Sequence, residues 1–294
     1  MEKALLTGAN GFLGKNIHEI NDYNVETLGR STDSTIVVDL LADLPALGYY
    51  DLVIHAAGKA HIVPKTSEEK QMFYDINVHG TSKLLSSLEQ YPPKAFIFIS
   101  SIAVYGRSSG HLITEDEPLN ANDAYGDSKV QAEKLVLDWC KEHKVIAAIL
   151  RLPLLVGKNP PGNLGSMIKG IKKGIYFNIA GGKARKSMVL AEDIAGVLPK
   201  IATIGGIYNL TDGYHPSFYE LSKAIAKKCN KKIPGSIPLF FVELCARIGD
   251  LLGDKMPINT YKLHKITNDL TFSDAKARNY LNWQPRNVLD NIEV

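Results

Sequence analysis

The sequence predicts an α/β protein: a doubly wound parallel sheet followed by a smaller, mostly helical C-terminal domain. The first observation is a series of short runs apolar on both faces, at Lys3–Thr7, Val25–Leu28, Asp51–His55, Ala95–Ile99 and Val145–Leu150. The second is the helical patterning between them, at Leu13–Ile20, Glu68–Glu89 and Tyr125–His143. Strands without a polar face must be covered on both sides, and intervening helices supply the crossovers that parallel pairing requires. The third is a change of texture after Pro153. There Gly157, Pro160, Pro161, Gly162 and Gly165 suggest a long irregular crossing. Strands are expected again at Ser187–Leu190 and Ile207–Leu210, and mostly helices from Phe218 onward. Residues 1–155 with 187–212 are therefore assigned to the sheet domain. Residues 156–186 with 213–294 are assigned to a second domain over the carboxyl ends of its strands.

Composition excludes several classes. A net charge of +3 on 294 residues creates no strong field for nucleic acid. The basic run Lys227-Lys228-Cys229-Asn230-Lys231-Lys232 has no interleaved aromatics and suits the cationic last turn of a helix. Cys140, Cys229 and Cys245 are scattered and odd in number, so neither a disulfide framework nor a metal site is expected. The chain opens on a strand rather than a signal peptide, and a cytoplasmic protein is expected. The most apolar stretch, Ile237 to Leu252, is interrupted by Glu243, Arg247 and Asp250. It is too short and too charged to span a bilayer. A packed amphipathic helix is the leading reading and a membrane-surface helix the lesser one.

The first strand runs into Gly8-Ala9-Asn10-Gly11-Phe12-Leu13-Gly14 and then a helix. Glycines at such a junction permit a tight turn and let backbone amides approach a pyrophosphate. The sheet domain thus becomes a candidate dinucleotide-binding domain of the Rossmann type. A carboxylate that would hold an NAD ribose is expected at the end of the second strand, but Gly29 stands there and Arg30 follows. The expected cofactor is NAD(P), with a slight lean to NADP because Arg30 can meet a 2′-phosphate. Asp39 and Leu40 close the next run and are placed near the adenine. Ala56-Ala57-Gly58 ends another strand with small residues, as close passage of a cofactor requires; His55 before them is read as structural.

Tyr125-Gly126-Asp127-Ser128-Lys129 carries the strongest chemistry. Positions i and i+4 share a helical face, so Tyr125 and Lys129 point the same way. A tyrosine with a pKa of about 10 is a poor base at neutral pH. An adjacent ammonium and a cationic nicotinamide both favour the phenolate. Ser101, at the end of Phe98-Ile99-Ser100-Ser101, sits where ligands bind in parallel sheets and can hydrogen-bond a reacting oxygen.

Taken in order, Thr7–Gly14, His55–Gly58, Asn77-Val78-His79-Gly80-Thr81, Ser100–Gly106, Tyr125–Lys129 and Leu281-Asn282-Trp283-Gln284-Pro285 resemble the extended short-chain dehydrogenase/reductase family. The match is to its NAD-dependent epimerase/dehydratase branch. The resemblance implies that Tyr125 is the acid/base, Lys129 its orienter and a cofactor contact, and Ser101 the hydroxyl that polarises the substrate oxygen. It adds Asn77 and Pro153 to the cofactor site. Dehydratases of this family carry an acidic pair after the catalytic hydroxyl residue, whereas Ile102 and Ala103 stand here. The implied activity is 4-epimerisation or 4-keto reduction of a UDP-linked N-acetylhexosamine for surface polysaccharide. For the substrate diphosphate the family pattern points to Asn163 and to the position of Lys186, where it has an arginine, and Arg185 is the alternative. A lysine gives charge without a bidentate fork. Outside this reading stand a reductase of non-sugar alcohols and a non-catalytic redox-sensing binder. The expected partner is a UDP-linked nucleotide sugar, with a homodimer left open.

Overall fold

A computed structural model describes residues 1–17, 20, 23–60, 63–252 and 259–294. Among them, seven parallel strands form the central sheet. Their spatial order is Gly206–Asn209, Ile146–Leu152, Ala95–Ser101, Leu52–His55, Glu2–Thr7, Tyr23–Gly29 and Ile36–Val37. The chain starts in the middle, winds one way through three strands, then returns to build the other half. The reversal lies between Glu2–Thr7 and Leu52–His55, the crevice where doubly wound sheets hold their ligands.

Alternation along each strand feeds two cores. Leu5, Val53, Phe96, Phe98 and Ile149 face one side, with Val136 and Trp139 of the helix Ala124–Glu142 packed on them. Leu6, Ile54, Ile97 and Leu150 face the other, against Ile17, Leu198 and Ile201. Those strand residues are fully buried, which is why no polar alternation marks these strands in the sequence.

The expected irregular crossing after Pro153 contains a helix, Gly162–Lys173. Its glycines mask a clear apolar stripe, Leu164, Met167, Ile168 and Ile171, spaced as one helical face. That stripe packs with Leu221 and Ile225 of the helix Phe218–Lys228 in a separate, smaller core. The strand Met188–Leu190 pairs with Leu154–Val156 instead of joining the central sheet. It divides its side chains, Val189 to the large core and Met188 and Leu190 to the small one. Lys227 and Lys228 do end a helix, as their charge suggested. The N-terminal helix expected over Leu13–Ile20 is described as Gly14–Ile17, and His18 and Glu19 lie outside the described residues.

The helix expected over Glu68–Glu89 is present, with one irregularity. Ser67–Tyr74 and Gly80–Ser87 are α-helical, and a π-helical turn, Asp75–His79, joins them. Such turns concentrate at functional sites because the extra residue re-aims a side chain. Here that side chain is Asn77.

Candidate active site

The glycine turn is built to exclude side chains. Gly8 has φ +76°, and a Cβ on it would stand 2.6 Å from the Ala57 amide nitrogen. A Cβ on Gly14 would stand 2.1 Å from the Gly8 carbonyl oxygen. The turn therefore lies directly against Ala56-Ala57, with Asn10 and Gly11 exposed at its outer edge and Leu13 buried beneath it. The Phe12 ring reaches across to Gly157, just past the strand that follows Pro153. Pro153 is buried immediately after Leu152, the register partner of Ser101. A Cβ on Gly58 would meet Asn77 Oδ1 at 3.0 Å and Lys129 Nζ at 3.2 Å. This bare backbone trough, running along the strand ends at the sheet's reversal point, fits an extended dinucleotide.

A chain of hydrogen bonds lies beneath the trough. The Ala57 amide donates to Thr7 Oγ1 at 3.2 Å, and Thr7 Oγ1 lies 2.7 Å from His55 Nδ1. His55 Nε2 lies 2.9 Å from Thr81 Oγ1, which donates to the Asn77 carbonyl at 2.6 Å. The chain closes when a neutral His55 carries its proton on Nε2. Burial, with the charge of Lys129 beside it, pushes the His55 pKa down to about 3, so the ring stays neutral. The Asn77 side chain then ties the Lys59 backbone, from which it accepts at 2.7 Å, to Ser128 Oγ, to which it donates at 2.9 Å. The π-turn thus links the trough to the helix bearing Tyr125.

At the far side of the trough, Ser101 ends its strand and accepts from the Ala103 amide at 3.2 Å. Burial raises the Tyr125 pKa, and the neighbouring Ser101 hydroxyl opposes the rise. Lys129 is buried, donates to the Ile99 carbonyl at 2.9 Å and lies 4.5 Å from the Phe98 ring centre. Desolvation brings its pKa down to about 8, against the raising influence of Glu133. Glu133 continues the Tyr125–Lys129 face at i+8 and is fixed by Arg151 at 2.8 Å and Ser100 at 2.5 Å. Breaking so buried a pair typically costs about 3–5 kcal/mol, so the helix is pinned firmly to the strand ends.

A cleft of about 280 Å³ opens beside Ser101, with Ile102, Ala103, Arg107, Lys186 and Lys265 in its wall. The two adjacent candidates for a phosphate contact are separated by the alternation of extended chain. Lys186 faces the cleft, donating to the Asn268 carbonyl at 2.9 Å, and burial lowers its pKa to about 8. Arg185 turns away: it donates to the His215 carbonyl at 3.0 Å and pairs with Glu220 at 3.5 Å. Asn163 is exposed in the first turn of the helix Gly162–Lys173 and is not part of this wall. Sequence reasoning missed Arg107 and Lys265. Neither belongs to a motif, and only the fold brings them to Ser101. At the other end of the trough, Arg30 is largely exposed and lies 3.9 Å from Asp39. Leu40 is buried, packing on Gly80. No group of residues suited to a metal ion occurs among those described.

The model of the NAD dependent epimerase/dehydratase family matches residues 4–210. The chain is 28% identical to an N-acetyl-alpha-D-glucosaminyl-diphospho-ditrans,octacis-undecaprenol 4-epimerase of Escherichia coli O157:H7, covering 94% of this chain and 88% of that one. It is 26% identical to a UDP-glucose 4-epimerase of Vibrio cholerae, covering 97% and 91%. The fold matches a UDP-glucose 4-epimerase from Bifidobacterium longum, solved with NAD+ and UDP, at a TM-score of 0.75 and 20% identity over 99% of this chain and 96% of that one. The family match spans the glycine turn, the Ser101 strand and the Tyr125–Lys129 helix together. The protein is therefore a member of the NAD dependent epimerase/dehydratase family, an enzyme that works with a nicotinamide dinucleotide.

Proposed function

We propose that the protein is a 4-epimerase of an N-acetylhexosamine carried on a diphosphate, UDP being the soluble carrier. The observation that carries this reading is the position of Ser101, which lies beside Tyr125 and also in the wall of a cleft that holds Lys186 and Lys265. Residues 1–155 with 187–212 would hold the dinucleotide, and 156–186 with 213–294 the sugar diphosphate. The trough formed by Gly8–Gly14, Ala56–Gly58 and Asn77 would hold the cofactor, with Lys129 reaching it beside Gly58 and Arg30 and Asp39 at its adenosine end.

A nicotinamide dinucleotide held in this trough would supply reversible hydride acceptance at C4. The other tasks fall to side chains of this protein. Ser101 donates to the C4 oxygen, and Tyr125 removes the hydroxyl proton and later restores it. Lys129 keeps a positive charge near the phenolate. Its depressed pKa leaves it charged through neutral pH and neutral well above pH 8. Lys186 and Lys265 neutralise part of the diphosphate charge. Ile102 and Ala103 line the cleft where elimination of water would need an acid and a base. The Asp123 carboxylate beside them is occupied in capping the helix through the Gly126 amide at 3.0 Å.

Epimerisation is favoured over one-way 4-keto reduction because both full-length relatives named above are 4-epimerases. The test is incubation with UDP-N-acetylglucosamine, following the sugar by NMR. The 4-epimer should accumulate to equilibrium without net consumption of cofactor. Stoichiometric oxidation of NADPH with a 4-keto sugar, and no epimer, would replace the reading with a reductase.

A further inference from the structure

The helix Leu239–Leu252 has two apolar faces, and among the described residues only one is covered. Val242, Ala246 and Gly249 form the buried stripe, with Val242 and Ala246 packed on Leu263 of the helix Thr260–Thr267. Phe240, Phe241, Leu244 and Ile248 are 70%, 60%, 52% and 42% exposed. The charges of this helix, Glu243, Arg247 and Asp250, fall in one narrow arc between the two faces. The exposed surface continues beyond the helix. Ile237 pairs with Ile179, and the Phe177 ring lies against Gly235. Ile175, Phe177 and Ile233 at this end are themselves at least half exposed.

The flanking charge is one-sided. Residues 158–191 hold seven Lys and Arg and no Asp or Glu, and residues 221–242 hold five Lys and no acid. Lys172, Lys173, Lys231 and Lys232 are exposed immediately before Ile175 and Ile233. The overall charge of +3 conceals this asymmetry. Apolar side chains rimmed by lysines match the headgroup boundary of an anionic bilayer, where apolar burial and electrostatic attraction add. A second copy presenting the same face would set lysine rim against lysine rim.

We propose that this face seats the protein on an anionic phospholipid surface. The geometry joins the surface to the catalytic cleft. The helix Thr260–Thr267 packs Leu263 on the apolar helix and contributes Lys265 to the cleft beside Ser101. A cavity of about 830 Å³ between these two helices has Asn268 in its wall, and the Asn268 carbonyl accepts from Lys186. Docking would therefore set the membrane against the same pair of helices that borders the Lys186 end of the cleft, as the diphosphate of a lipid-carried sugar would require. That consequence alone rests on the substrate reading above.

The experiment is vesicle flotation with the full chain, using phosphatidylcholine vesicles with and without phosphatidylglycerol. The wild type should float with the anionic vesicles and be released by salt. Phe240→Ser with Phe241→Ser should weaken partition roughly tenfold or more. Each of Lys172→Glu and Lys231→Glu should weaken it roughly fivefold. Unchanged circular dichroism and unchanged turnover of UDP-N-acetylglucosamine show that the variants are folded. Failure of the wild type to bind either vesicle overturns the proposal. So does a dimer in sizing that the phenylalanine variants dissolve, which would make the face a self-interface. Vesicle binding is read without turnover, so loss of the epimerase reading leaves this result standing, and the reverse holds too.

Discussion

Tyr125 has the simplest task and the most exposed prediction. Its phenol is set by Ser101 on one side, and its helix is pinned through Lys129 and Glu133. Tyr125→Phe removes only the phenolic hydroxyl, so turnover should fall about 100-fold or more while cofactor binding and melting temperature hold. Lys186 and Arg185 form an internal control. Lys186→Ala should weaken UDP binding roughly tenfold, the loss of one charge-assisted hydrogen bond, while Arg185→Ala, already engaged with Glu220, should leave it within about twofold. The lowered Lys186 pKa sets the sign of the pH effect. The cation is lost as pH rises through about 8, so UDP affinity should decline above that pH and the decline should vanish in Lys186→Ala, as calorimetric titration will report. Arg30 is the residue on which the choice of cofactor is tested. NADP should bind at least as well as NAD, and Arg30→Ala should remove that advantage. A preference for NAD untouched by the substitution would make Arg30 a bystander.

Elements show where a sequence is legible. Strands buried on both faces and a glycine turn between strand and helix leave local signatures, and those elements lie where expected. The helix Gly162–Lys173 was hidden because three glycines and a Pro-Pro pair outweighed its apolar stripe in a local reading. The π-turn at Asn77 has no local signature; its side chain is satisfied by Lys59 and Ser128, which are distant in sequence. Lys265 reaches the cleft only through the packing of its helix, which no spacing rule reveals. The motif around Trp283 is explained by packing: the indole is buried and donates to the Thr211 carbonyl at 2.8 Å, tying the C-terminal segment to the end of the sheet. The strand end at His55 yields a stability prediction. A neutral buried imidazole with its pKa near 3 does not protonate in the fold, whereas an unfolded one does below about 6.5. Its contribution is complete above pH 6.5 and is lost as pH falls toward 3. In melts across that range, His55→Gln should show a shallower acid decline than the wild type.

On the scale of the whole molecule, the cores divide the work. The two cores on the faces of the sheet support the trough and the Ser101–Tyr125–Lys129 group, and Lys186 enters the cleft next to the strand Met188–Leu190, which feeds the smaller core. The central claim is that C4 is oxidised and re-reduced by the same hydride inside this cleft. The direct measurement uses UDP-N-acetylglucosamine deuterated at C4, incubated in ordinary water with the protein and read by NMR. The account predicts a 4-epimer that retains its deuterium. A 4-epimer that has lost its deuterium to solvent would contradict it, because inversion would then proceed by proton abstraction from carbon.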